Sequence, residues 1–231
     1  MRRLAYLLIL AGVAVLATIP LSIIRSDRHA AAAQTRLAKQ FGVVSARQHS
    51  SAPEPSLLTK TQALVRTTPT ARPVGEPSSN RANAPRLRPE VWPPLPGGVL
   101  DKLVIPTIGL SRYVVQGTAE SDLAEGPGHY VATPLPGQYG NVAIAGHRTT
   151  YGAPFWALNE LTRGDRIFLT DPAGHTWIYR VTGHLVVAPE QLSVIGPLKG
   201  YYLTLTTCNP RFWATGRLVV RAELQRPSPV R

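Results

Sequence analysis

Cys208 is the only thiol among the 231 residues, and it closes the segment YYLTLTTC. A single cysteine cannot form a disulfide within its own chain, so it is either a buried, inert side chain or a reactive group. Burial is the commoner state of a free cysteine. A reactive cysteine would attack a carbonyl carbon as the thiolate. Because a free thiol has a pKa of ~8.5, a nearby base or cation is needed to favour the thiolate at neutral pH. The oxyanion formed in that attack needs a hydrogen-bond donor.

Among the six histidines, the best candidate for the base is His147. It ends the apolar segment NVAIAGH, which predicts a strand that runs into a loop, much as Cys208 ends its own strand pattern. Loops at strand ends are where a rigid scaffold presents functional groups. Spacing alone leaves His129 open as the alternative. The other four are predicted to be a solvated turn residue (His175), a polar strand residue (His184) and two residues of a linker (His29, His49).

Arg217 is the candidate donor for the oxyanion. It opens the strand pattern RLVVRAEL nine residues after Cys208, so the intervening loop can fold back and bring its guanidinium near the thiol. Arg211 and Arg148 remain alternatives by sequence position. An exposed arginine at the start of a strand would be the ordinary interpretation.

The strand before the thiol has two distinct faces. Apolar and hydroxyl residues alternate, which puts Leu203 and Leu205 on one face and Thr204, Thr206 and Cys208 on the other. We therefore expect the thiol at a strand end, on the face opposite the leucines.

From about residue 98 the chain consists of short strand patterns separated by Gly, Pro, Asn and Asp. Seven strands are predicted, over 102–105, 112–116, 142–145, 166–170, 176–187, 201–207 and 217–224, with short helices over 121–125, 154–161 and 190–194. This pattern predicts a mostly β fold, a single closed or nearly closed β-barrel of about eight strands with a few short helices. The domain spans 98–226 and is followed by a tail, 227–231.

The N-terminal region predicts a membrane anchor. Two arginines precede residues 4–24, an uncharged run of 21 residues, which as a helix is about 30 Å long, the thickness of a bilayer core. Residues 1–28 are thus read as a cytoplasmic N-terminus and a transmembrane helix. A cleaved signal peptide, with its cleavage region near the alanines 30–33, is the alternative. Basic residues on both sides of the span leave its orientation undecided by charge.

Residues 29–97 are predicted to be an extended or disordered linker, because proline, serine, alanine and arginine dominate and bulky apolar residues are few. A short helix over residues 31–41 is the one local alternative. The net charge of +12 is concentrated there: residues 25–97 hold eleven Lys and Arg against four Asp and Glu, while 98–231 hold twelve against nine. No zinc-ligand spacing or RNA-binding signature accompanies this charge. A tether beside anionic lipid or cell wall, or a merely solubilising segment, explains the excess.

Three motifs together resemble the sortase family. TLTTC followed nine residues later by Arg217 resembles the sortase Cys–Arg signature, and AGHRTTYGAPF resembles the histidine segment. EGPGHY, LPGQYGNVAIAGHRT and YLTLTTC are most similar to class E sortases of high-GC Gram-positive bacteria. The likeness covers about residues 98–226, and an anchor with a long linker suits that class. Asn209 departs from the histidine expected after the cysteine, which bears on substrate preference.

The resemblance implies a cysteine transpeptidase on the extracytoplasmic side of the membrane. Cys208 would attack the threonine carbonyl of an LPxTG-like or LAxTG-like sorting signal and form a thioacyl enzyme. His147 would move the protons, and Arg217 would hold substrate and stabilise the oxyanion. The partners would be surface proteins and an amine of a peptidoglycan precursor, with no metal or organic cofactor and no nucleic acid.

Three alternatives to this function stay open. A pilin-polymerising sortase often has an Asp-Pro-aromatic lid, which the segment Glu90-Val91-Trp92-Pro93 does not match. An L,D-transpeptidase has Ser-x-Gly before its cysteine, where this chain has Thr206-Thr207. A catalytically inactive, membrane-tethered binding domain would have an unreactive Cys208.

Overall fold

The computed structural model describes residues 2–50 and 97–225, with side chains within the first range described from residue 22 to residue 46. The helices are α1 (Arg2–Ser50) and α2 (Glu120–Leu123), with 3-10 turns at Pro106–Ile108, Leu158–Glu160 and Leu192–Ile195. The strands are β1 (Val99–Ile105), β2 (Leu110–Gln116), β3 (Gly128–His129), β4 (Gly140–Ala145), β5 (Arg166–Thr170), β6 (Thr176–Val187), β7 (Tyr201–Asn209) and β8 (Gly216–Leu224).

The eight strands close into a barrel in the order β1-β2-β3-β4-β7-β8-β6-β5, with β5 returning to β1. The pairs β2–β3 and β4–β7 are parallel, and the others are antiparallel. The predicted mostly β barrel is therefore confirmed. The seven predicted strands are all present, and β3 is the eighth. Its two residues are too few to show a periodic pattern, which is why the sequence did not reveal it.

Every second side chain of β7 and β8 points into the barrel and fills it with apolar groups. Leu203 and Leu205 of β7 join Leu218 and Val220 of β8 in the main hydrophobic core. Tyr179 and Phe155, the largest fully buried side chains, belong to the same core. Successive side chains of a strand point to opposite faces. Because the leucines of β7 point into the barrel, the alternate residues of the strand, which include Cys208, face outward. The predicted face of the thiol is confirmed.

Helix α1 corrects the prediction of a disordered linker over residues 29–50, which are helical. The short helix that the sequence allowed over residues 31–41 is part of this longer helix. Ala30, Ala33 and Leu37 are buried, and Phe41 packs beside Leu37 in a small second core with Val99 and Val115. These helix residues are spaced by three and four and so share one face of a helix. Packing of that face on the barrel stabilises a segment whose composition, dominated by small and polar residues, suggested disorder.

Several predictions fall on parts of the chain outside this description. The predicted anchor, residues 4–24, lies mostly among residues whose side chains are not described, and no helix of the described part is long and apolar enough to cross a membrane. Residues 51–96 of the predicted linker, which include Glu90–Pro93, and the tail 227–231 also lie outside it.

Candidate active site

The thiol and the candidate oxyanion donor are neighbours in the sheet. Cys208 and Arg217 are direct partners in the antiparallel pairing of β7 and β8. Nη1 of Arg217 donates a hydrogen bond to Sγ of Cys208 over 3.3 Å. Both side chains are half-buried, so the sulfur remains accessible at the end of its strand. Of the three candidate arginines, Arg217 is the one with a hydrogen bond to the sulfur.

His147 lies at the end of the strand on the other side of β7. The parallel register of β4 and β7 pairs Ala145 with Thr206, so two residues further along His147 reaches the level of Cys208. The end of β7 and the residues after β4 stay joined there, because Thr207 Oγ1 donates a hydrogen bond to the carbonyl oxygen of Gly146 over 2.7 Å. Adjacent strands lie about 4.8 Å apart. The barrel therefore places the thiol, the imidazole and the guanidinium at the same end of three adjacent strands, β4, β7 and β8.

Partial burial of His147 disfavours the charged form of its imidazole and lowers its pKa. Its Nε2 is buried and has no hydrogen-bond partner among the described residues, and its ring lies against Tyr151 with 5.0 Å between ring centroids. Desolvation lowers the pKa of His147, and the negative charge of Glu120 partly opposes this by raising it. A neutral imidazole can accept a proton from a thiol or an attacking amine, and the imidazolium can give it to a leaving group.

The turn after β4 requires a glycine before the histidine. A Cβ atom on Gly146 would lie 2.7 Å from the ring of Phe155, which is fully buried in the core. The amide of Phe155 donates to the carbonyl oxygen of His147 over 3.0 Å and closes the loop between them. This explains the Gly-His order of the predicted site segment.

The two other candidate arginines, Arg148 and Arg211, make contacts that support the surrounding structure. Arg148 is buried, and its Nη1 donates to the carbonyl oxygen of Cys208 over 3.1 Å and to Oδ1 of Asn209 over 2.7 Å. Its Nη2 donates to Oδ1 of Asn159 over 2.9 Å. Arg211 lies over the ring of Trp156 at 4.2 Å from the centroid. Asn209 is thus part of the support of the site.

The rival histidine, His129, is fully buried. Its Nδ1 lies 2.8 Å from Oε1 of Gln116, and its Nε2 lies 3.0 Å from the carbonyl oxygen of Pro134. Both ring nitrogens are therefore used within the core. His175 is exposed in the turn before β6, 3.0 Å from Asp171, and His184 is exposed on β6, as their patterns suggested.

Three site neighbours were missed by the sequence analysis. Glu120 and Tyr151 influence His147, and the hydroxyl of Tyr130 lies 3.4 Å from Oγ1 of Thr206. Glu120 is distant from the other residues in sequence and lies in none of the quoted motifs. Tyr130 and Tyr151 had a signal, because they lie within the quoted segments EGPGHY and AGHRTTYGAPF.

A half-buried thiol, with a half-buried imidazole on one neighbouring strand end and a guanidinium on the other, lies at one end of a closed β-barrel. These are the parts that thiol acyl-transfer chemistry requires. A family model described as the sortase domain matches residues 103–225. The chain belongs to the sortase family. This family assignment also separates it from the L,D-transpeptidases.

Known relatives agree with the class E resemblance. Sortase SrtE1 of Streptomyces coelicolor is 30% identical over 150 residues, which are 58% of this chain and 42% of that protein. The solved structure of sortase E from Streptomyces avermitilis is 38% identical, with a TM-score of 0.53, over 58% of this chain and 91% of that one. A sortase D5 transpeptidase of Clostridium perfringens is 28% identical, with a TM-score of 0.53, over 57% and 82%. The chain spans roughly half the length of the curated relatives it matches.

Proposed function

We propose that the protein is a membrane-anchored cysteine transpeptidase. It cleaves an LPxTG-like or LAxTG-like sorting signal and joins the released protein to an amine of a cell-wall precursor. The observation that carries this proposal is the hydrogen bond from Arg217 Nη1 to Cys208 Sγ over 3.3 Å, at the end of the barrel where His147 also lies. Membership of the sortase family supports the same reaction.

In the first half-reaction, Cys208 gives its proton to His147, and the resulting thiolate attacks the carbonyl carbon of the threonine in the sorting signal. The tetrahedral oxyanion collapses, the carbon–nitrogen bond to the following glycine breaks, and His147 protonates the leaving amine. A thioester to Cys208 remains. Arg217 is close enough to the sulfur to hold the substrate backbone and to donate to the oxyanion.

In the second half-reaction, an amine attacks the thioester and His147 accepts a proton from its nitrogen. The new amide bond forms, and sulfur leaves as the thiolate. One amide bond has been exchanged for another, so the sequence of steps needs no oxidant or reductant. No cofactor is part of the proposal.

The proposed location is the cell membrane, with the barrel on the extracytoplasmic side. The uncharged residues 4–24 supply the anchor. The extracytoplasmic position of the barrel is proposed from the family resemblance, since the charges that flank the span do not orient it. Helix α1 runs without a break from residue 2 to residue 50, so in this arrangement the barrel is held on the same helix as the anchor.

The test uses the full chain in detergent micelles with fluorogenic LPxTG and LAxTG peptides, with and without a glycine-based amine. Cys208→Ala, His147→Ala and Arg217→Ala are compared with Arg163→Ala, a change at an exposed loop arginine. We expect an amine-linked product whose formation requires the first three residues and not Arg163. Preference for a lysine side-chain amine would instead favour a pilin-polymerising enzyme.

One result would overturn the proposal. If no peptide is turned over and Cys208 resists a small alkylating reagent until the protein unfolds, the thiol is inert. The chain would then be a tethered binding domain with a sortase fold.

A further inference from the structure

Helix α1 is attached to the barrel by specific polar contacts. Gln34 Nε2 donates to the carbonyl oxygens of Tyr113 over 3.1 Å and of Glu125 over 2.9 Å. Its Oε1 accepts from the amide of Tyr113 over 2.7 Å. The side chain thus pairs with the backbone of β2 as another strand would. Arg36 forms an ion pair with Glu125, and Leu37 is buried beside these contacts.

Two turns earlier, the same helix contacts the loop that follows His147. Oδ1 of Asp27 accepts a hydrogen bond from the amide of Gly152 over 2.9 Å. The ring of His29 lies edge-on to the ring of Tyr151, with 6.4 Å between centroids. The other partner of the Tyr151 ring is His147. A continuous set of contacts therefore joins α1 to the imidazole of the candidate site.

The loop contacted by Asp27 has a conformation that needs support. Tyr151, Gly152 and Ala153 have φ values of 53°, 71° and 41°, all in the left-handed region. Residues with a Cβ atom rarely adopt this conformation, and it persists where the surroundings hold it. The hydrogen bond from Gly152 to Asp27 is made at the centre of these three residues.

We propose that Asp27 of α1 is a positioning residue for His147. By holding Gly152, Asp27 keeps the loop in its left-handed conformation and Tyr151 against the imidazole. This inference rests on the proposed function of His147. It assigns a role to the part of α1 that follows the predicted anchor, and it means that a fragment beginning near Gly98 lacks a part of the site.

The test uses the full chain in detergent micelles and three variants. Asp27→Ala removes the acceptor, Asp27→Asn retains Oδ1, and Arg28→Ala is the matched control at an exposed neighbour on the helix. We expect Asp27→Ala to lower kcat about threefold to tenfold, the effect of losing one hydrogen bond of ordinary strength. KM for the peptide and the thermal midpoint should stay close to those of Arg28→Ala, and Asp27→Asn should restore kcat.

A second readout does not depend on turnover. In a Cys208→Ala background, the imidazole resonance of His147 is followed by NMR and assigned through His147→Gln. We expect Asp27→Ala, and more strongly Gln34→Ala, to shift this resonance, while Arg28→Ala leaves it in place. If Asp27→Ala matches Arg28→Ala in both kcat and the resonance, the positioning role is wrong. If the unaltered chain turns over no peptide, the proposed function fails and the resonance alone decides this inference.

Discussion

Arg217 lies directly opposite Cys208 in the antiparallel pairing of β7 and β8, and its Nη1 donates a hydrogen bond to Cys208 Sγ over 3.3 Å. The sheet register, rather than the conformation of the intervening loop, sets this distance. A guanidinium so placed stabilises negative charge on the sulfur, and it can reach an oxyanion on the adjoining carbon.

Replacing Arg217 tests this role. Arg217→Ala should lower kcat/KM for the cleaved peptide by about 100-fold to 1,000-fold, the usual loss for one oxyanion donor. Arg217→Lys should recover part of the activity, because it retains the charge but loses the planar fork of donors. Steady-state kinetics measure the effect, with Arg163→Ala as the control. Equal activity of Arg217→Ala and the control would exclude the role.

Glu120 should tune the acid–base behaviour of His147. The carboxylate favours the imidazolium and raises the pKa of His147, so Glu120→Gln should lower that pKa further below its ordinary value. The descending limb of the pH–rate profile for proton donation should then move to lower pH. NMR titration of His147 in a Cys208→Ala background removes coupling to the thiol. Glu190→Gln is the exposed control, and an equal pKa in both variants would contradict this prediction.

Arg148 should contribute to stability rather than to chemistry. Its removal leaves the carbonyl oxygen of Cys208 and the amide oxygens of Asn209 and Asn159 without its hydrogen bonds. Arg148→Ala should therefore reduce the free energy of unfolding by about 2–4 kcal/mol, measured by chemical denaturation. Arg163→Ala should have little effect. A stable Arg148→Ala protein that has lost turnover would instead assign Arg148 to the reaction.

Asp101 should make the protein less stable at alkaline pH. It is 1% exposed, and within the described part of the chain both of its carboxylate oxygens lack hydrogen-bond partners. Burial raises its pKa to about 8, and the negative charge of Asp171 adds to the effect. A raised pKa means that the folded state prefers the protonated acid. Its stabilising contribution is therefore complete below the unfolded pKa of about 3.9 and is lost as pH rises through about 8.

Asp101→Asn removes this dependence on pH. Relative to the unaltered chain, the variant should have a higher free energy of unfolding at pH 9, and the difference should shrink toward pH 4. Chemical denaturation at several pH values measures it, with Glu190→Gln as the surface control. A difference that is independent of pH would show that the pKa of Asp101 is the same in the folded and the unfolded protein, which would contradict this prediction.

Much of the site was accessible from local patterns. Alternation along YYLTLTTC predicts which face carries Cys208, because successive side chains of a strand point in opposite directions. The apolar run before Gly146-His147 likewise predicts a strand end. The barrel itself follows from the number and spacing of the short strands. Residue types and period 2 determined these features, and they need no knowledge of the strand order.

Only the tertiary structure decided which residues that are distant in sequence come into contact. It selected Arg217 over Arg148 and Arg211, because the β7–β8 register determines which guanidinium faces the sulfur. It added β3, which exists only through pairing with its neighbours. It also joined Asp27 to Gly152, which are 125 residues apart. Local sequence predicts local conformation, whereas contacts of this kind depend on how the closed barrel and α1 pack, and no periodic pattern encodes them.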